Sequence, residues 1–231
     1  MENYFYINDI DSRTINVFCG SFPDIVIPQL RQSTIEIEGR HGSLTETDNC
    51  YKTYVFSLEC YSPDLQIEAI EQFFRNTRTL RFSNNSEKVY SVKIKNQIDL
   101  SLVAEYWRNF TIVFEVQPII KSFTEYEEII TTTPQNFVVG GTYDTKPIIE
   151  LFGTGNFTLT INNKNIIINN LESEKITIDT DLKLAFINNQ NAMSKINGDL
   201  NDIKLNVGNN IVSTIGVYDS FKIKYKRCFL C

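Results

Sequence analysis

The sequence predicts a mainly β protein in two domains, the first an α+β domain with one helix and the second an all-β sandwich. Three observations carry this. Short runs of alternating apolar and polar residues recur along the chain, one segment (residues 62–76) has helical spacing, and helical periodicity is absent after residue 137. At 231 residues and 42% hydrophobic content the chain can bury one large core or two small ones. Glycine (10) and proline (6) are few, so the Asn-rich text after about residue 155 is expected to make the turns, because Asn tolerates left-handed backbone.

Taken in order, residues 4–7 and 14–18 read as strands joined by a turn over residues 8–12. Residues 19–28 form a connector punctuated by Gly20, Pro23 and Pro28. The stretch IEIEGRHGSLTETDNCYKTYVFSLEC follows. Ile35 and Ile37 alternate with Glu36 and Glu38, Gly39-Arg40-His41-Gly42 supplies a reversal, and Tyr54, Phe56, Leu58 and Cys60 form the apolar set of a second strand. Residues between these strands read as a polar excursion.

Ser62 is placed as a helix N-cap with Pro63 behind it. Asp64 and Glu68 suit the positive end of the helix dipole, and Ile67, Ile70, Phe73 and Phe74 make one apolar face ending near Asn76. Strands are then expected at 79–82, 88–94, 98–104 and 108–116, the first two joined around residues 83–86. The first domain closes near residue 120. The acidic, Thr-rich stretch KSFTEYEEIITTTP, within residues 121–136, reads as the link, with a short strand at 128–132.

Beyond it, eight short strands are expected at 148–152, 157–161, 165–168, 175–178, 182–187, 203–205, 210–215 and 221–226, a spacing typical of a sandwich or jelly roll. The last alternates Phe221, Ile223 and Tyr225 with Lys222, Lys224 and Lys226, and its lysine row reads as a solvated or edge-guarding face.

Several functions lack support. A net charge of −6 does not suit a protein that grips nucleic-acid phosphates. Cys19, Cys50, Cys60, Cys228 and Cys231 are odd in number and irregularly spaced, unlike a disulfide framework. Cys228 and Cys231 form a CxxC without a second pair, and the single histidine, His41, lies far away, so no zinc set is complete. His41 has no GxSxG or similar nucleophile motif beside it, so no catalytic, cofactor-binding or metal residues are assigned and no enzymatic activity is expected. MENYFYINDID has neither a basic leader nor an apolar core, and no apolar run reaches the roughly 20 residues of a membrane-spanning helix. Asn84, Asn109 and Asn156 head Asn-x-Ser/Thr triplets that matter only to a secreted chain.

A series of motifs in order resembles the distal tail proteins of long-tailed bacteriophages, the siphophage tail component family. They are IEIEGRHGSL, the helix followed by RTLRFSNNSEKVYSVKI, then RNFTIVFEVQP, KPIIELFGTGNFTLTINN, ITIDTD, GDLNDIKLNVGNNIVSTIG and FKIKYKR. Within them Gly208-Asn209-Asn210-Ile211 is similar to a turn-and-strand segment that recurs in that family. The resemblance implies an amino-terminal domain (1–120) that assembles as a homo-hexamer, a ring capping the tail tube with a central opening through which DNA passes without specific binding. It implies a carboxy-terminal galectin-like β-sandwich (137–231) that supports baseplate or receptor-binding proteins. It implies a virion location at the tail tip after synthesis in the host cytoplasm, with no membrane insertion. The chain has no room for inserted carbohydrate-binding modules, and its one tryptophan, Trp107, precedes the link. The alternative reading is a lectin-like, carbohydrate-binding β-sandwich.

Overall fold

A computed structural model describes residues 2–39, 41–63, 67–104 and 107–230, with the backbone alone for Leu102 and Ala104. The chain is mainly β and divides into two compact units, one running to Lys121 and the other spanning Ser122–Phe229.

The first unit comprises β1 (Phe5–Ile7), β2 (Ile10–Asp11), a 3-10 turn (Ser12–Ile15), β3 (Phe18–Cys19), β4 (Leu30–Glu36), β5 (Ser43–Tyr51), β6 (Tyr54–Ser62), α1 (Ile67–Phe74), β7 (Thr79–Phe82), β8 (Asn85–Ile94), β9 (Ser101–Ala104) and β10 (Trp107–Val116). Its spine is the antiparallel pair β6–β10, in register from Tyr54↔Val116 to Ser62↔Arg108. The period of two turns Phe56, Leu58 and Cys60 to the same side as their partners Phe114, Ile112 and Phe110, and all six are buried. A second ladder runs β2–β1–β7–β8, and β8 joins the two: its first part pairs with β7 and its last residues, 92–94, pair with β10. Helix α1 drops Ile70, Phe73 and Phe74 into the space between, where Phe73 and Phe74 meet edge to face at 4.9 Å and both approach the fully buried Phe5.

Three local expectations change. Residues 14–18 are not a strand. Asp11 Oδ1 accepts from the Arg13 backbone N–H and Asn16 adopts a left-handed conformation, so the chain coils through a 3-10 turn before the two-residue β3. The strand opposite β4 is β5, Ser43–Tyr51, and not the aromatic strand β6, which pairs with β10 and β3 instead. Ser62 is the buried last residue of β6, while the cap region around Asp64 lies outside the described residues.

The second unit contains most of β11 (Ile120–Ile129), then β12 (Gln135–Val139), β13 (Ile148–Ile161), β14 (Lys164–Asp179), β15 (Leu184–Ile187), β16 (Gln190–Asn191), β17 (Ile196–Asn197), β18 (Gly208–Ile215) and β19 (Tyr218–Phe229). Residues 120–129 run as a strand paired with β19, and the ring of Tyr126 stacks on Tyr225 at 5.7 Å. The long hairpin β13–β14 replaces four of the short strands expected. Its ladder shifts register at Gly153/Thr154 and Gly155/Phe157, and Asn170 and Ser173 take positive φ on the facing strand. These bulges bend the ribbon so that each half joins a different ladder. Residues 148–153 pair with β19 and 176–179 with β15, whereas 158–161 pair with β18 and 167–168 with β17. Gly153 is needed at the bend, since a Cβ there would lie 2.7 Å from the Phe157 ring. One core fills the interior, with Ile149, Leu151, Phe157, Leu159, Phe221 and Ile223 at most 1% exposed.

Asparagine closes the tight turns as composition suggested. Asn8-Asp9, Asn162-Asn163 and Asn188-Asn189 all have positive φ at both positions and are two-residue reversals between directly paired residues. The fully buried Asn210 ties one of these turns to the next loop. Its Oδ1 accepts from Asn162 Nδ2 (2.6 Å) and Asn206 N–H (2.8 Å), and its Nδ2 donates to the carbonyls of Asn206 and Gly208. Asn210→Ala strands those partners without solvent and is expected to cost about 2–3 kcal/mol in a urea unfolding titration, where a surface Asn→Ala change such as N209A costs under about 0.5 kcal/mol.

Candidate functional site: an exposed arm and two sheet faces

The segment with the least support from its own core is the hairpin β4–β5. It forms a two-stranded sheet of its own, every residue of β4 is exposed, and β5 is exposed up to its half-buried last residue, Tyr51. None of its residues belongs to the buried cluster of the first unit. Polar groups hold the ribbon: Arg31 pairs with Asp48 at 3.3 Å, and Asp48 Oδ1 accepts from Cys50 N–H. Near the tip, Ile35 lies directly across from Leu44, and Ile37 follows on the same face. Those three are 40–44% exposed, and Ile25 and Ile27 in the connector before the arm are 82% and 70% exposed. An isolated two-stranded ribbon is marginal in water, and a partly exposed aliphatic row along it makes the arm a candidate contact surface.

Two sheet faces of the second unit differ sharply in chemistry. On the β11–β19–β13–β14 face, Lys222 bonds Glu127 (2.8 Å), Lys224 bonds Glu150 (2.9 Å) and Lys175 reaches the other oxygen of Glu150 (3.0 Å). Burial pushes the Glu150 carboxyl up, but its hydrogen bonds to Lys224 and Lys175 outweigh this and hold it below its ordinary range. The same bond to Glu150 raises Lys224. Lys222 and Lys224 of the lysine row, with Lys175 of β14, are thus the positive half of a ladder of ion pairs. On the face built by β12, β18, the second half of β13 and the start of β14, the outward positions are Val138, Ile211, Ser213, Thr158, Thr160 and Ile167, with asparagines between them and no charge.

His41 lies at the arm's tip, exposed, and Arg40 beside it falls outside the described residues. Cys50 is exposed on β5. Cys19 and Cys60 are buried opposite one another, with Cys19 pushed up to about 11 by burial and Cys60 raised by burial and by Cys19. Cys228 is buried with its Sγ 3.4 Å from Thr145 Oγ1, whereas Cys231 is outside the described residues. Among the described residues no group of three His, Cys, Asp or Glu could hold a metal ion, and no helix is long and apolar enough to cross a membrane. Sequence reasoning missed β5 as the arm's second strand, because SLTETDNCY has no apolar period to announce it.

This fold is that of a phage distal tail protein, in line with the resemblance in the sequence. One solved structure that it matches is the crystal structure of the SPP1 Dit (gp 19.1) protein, described as a paradigm of hub adsorption apparatus in Gram-positive infecting phages. The match has a TM-score of 0.79 at 14% identity and covers 99% of this chain and 100% of that one. No protein-family model matches the sequence, and no curated protein does.

The pH response of the Glu150 ladder follows from its sign. A carboxyl held below its ordinary value of 4.5 contributes stability that is present above that value and lost as pH falls through the lower, folded one. The stability gap between wild type and Glu150→Gln, measured by urea titration, is expected to be constant above about pH 5.5 and to shrink below about pH 4.5, with a plateau of about 1 kcal/mol or less.

Proposed function

We propose that the protein is a structural component of a phage tail tip: a hexameric hub that joins the tail tube to the baseplate or receptor-binding apparatus and leaves a central channel for DNA. The observation that carries this reading is the β4–β5 arm. A ribbon that contributes nothing to the buried core of its own unit, yet carries Ile35, Ile37 and Leu44 on one face, is a device for reaching a neighbour. In a ring of identical copies each arm meets the next subunit, so the contact is head to tail and closes on itself. The full-length likeness to an adsorption-hub protein supports the same role. The uncharged face of the second unit gives peripheral proteins a surface that needs no charge to be desolvated, with Val138 and Ile211 exposed toward its β12 edge. The chemistry supports no enzyme: the one histidine stands exposed at the arm's tip.

Native mass spectrometry across a concentration series, with negative-stain images, is expected to show a closed species of six 26.7 kDa chains with a central hole. Ile35→Lys with Ile37→Lys is expected to abolish that species while moving the melting temperature by less than about 2 °C, since neither side chain is buried in the monomer. A protein that stays monomeric both alone and with tail tube protein refutes the hub reading. Retention on a glycan array by a monomer that forms no ring speaks for a carbohydrate-binding sandwich instead.

A further inference from the structure

Cys19 on β3 and Cys60 on β6 are directly opposite residues of an antiparallel pair. The hydrogen bonds around them fix which kind of opposite pair they are. Gly20 N–H donates to Glu59 O at 3.0 Å, so positions 20 and 59 form the hydrogen-bonded pair next to them. The Cys19 N–H points the other way, to Asn3 O at 3.0 Å. Cys19 and Cys60 therefore occupy a non-hydrogen-bonded site, where Cα atoms stand about 4.5 Å apart and side chains leave the sheet on the same face close together. That spacing falls within the range a disulfide spans. Both residues are buried, at 1% and 3% exposure, and both are free thiols in this structure.

We propose that Cys19 and Cys60 are a redox modification site, a dithiol that closes to a cross-strand disulfide when the protein meets a low-molecular-weight disulfide. When the two-residue strand β3 opens locally and exposes Cys19, its thiolate attacks one sulfur of that oxidant, forming a mixed disulfide and releasing one thiol. The thiolate of Cys60 then attacks Cys19 Sγ and expels the second thiol. The protein loses two protons and two electrons, and the oxidant gains both. The loop so closed runs from residue 19 to residue 60 and contains the whole β4–β5 arm, so the bond fastens both ends of the arm's base to one point of the sheet. A chain made in a reducing cytoplasm folds with the pair open, and an oxidising exterior favours the closed form.

The test uses the full-length chain carrying Cys50→Ser, which removes the thiol exposed on β5, incubated with oxidised glutathione or with dithiothreitol. Peptide mapping after unfolding and alkylation is expected to show a Cys19–Cys60 linked peptide only in the oxidised sample. The melting temperature of that sample is expected to rise by about 5 °C or more, because the bond restricts a long loop of the unfolded chain. Cys60→Ala removes the oxidation-dependent rise, whatever its own starting stability. Recovery of both cysteines as alkylated monothiols after prolonged oxidation overturns the proposal, as does a Cys19 that holds glutathione without ever linking to Cys60.

Discussion

A two-stranded ribbon has two faces and no interior, and this constraint governs how the protein can be used. The first unit reaches its packed state without the ribbon: the β6–β10 ladder and α1 enclose Phe5, Phe56, Phe74, Phe110 and Phe114, and none of the described residues of 30–51 enters. The apolar side chains on β4 and β5 are therefore not left over from folding. They remain partly exposed in the isolated chain, where burying them against another surface would be favourable. Much of the ribbon's polar content, including Thr34, Thr45 and Thr47, favours strand geometry in water.

The second unit solves the opposite problem, that of having too few strands of modest length to cover two sides of one core. It does so by running β13 and β14 through both ladders. The signs of that bend, Gly153, Gly155 and Asn170, are the signs by which a reader of sequence marks turns, and so one long hairpin reads as four short strands. A bulge and a turn use the same backbone freedom. What separates them is whether the partner strand bends in step, and that is a non-local property.

Other features were local and hence legible. The alternation in β7, β10 and β19 carried through to burial almost residue by residue, as did the helix face Ile70, Phe73 and Phe74, whereas in β8 only Val92 is buried and Tyr90, Ser91 and Ile94 are all half-buried. The helix stops at Phe74, two residues before the expected end. The arm was half legible: Ile35, Ile37 and the glycine reversal announced β4, but the nearest apolar strand, β6, was taken by a better partner. Phe114, Ile112 and Phe110 offer Phe56, Leu58 and Cys60 a buried face that β4 cannot match. Competition between strands for a hydrophobic partner decides such pairings, and the segment that loses it becomes free for another molecule.

The lysine row of β19 shows how little a motif says before its neighbours are placed. Three lysines at alternate positions would bind a polyanion by displacing its condensed counterions, which requires that their charge be uncompensated. Glu127 lies within 2.8 Å of Lys222 and 3.8 Å of Lys224, and Glu150 bridges Lys224 and Lys175, so anions are already in place and most of the field at that face cancels. A phosphate backbone arriving there would have to displace carboxylates fixed in the fold, without the entropy gained by releasing mobile ions. The acidic balance of the whole chain works in the same direction. A face compensated in this way offers a polyanion little binding free energy.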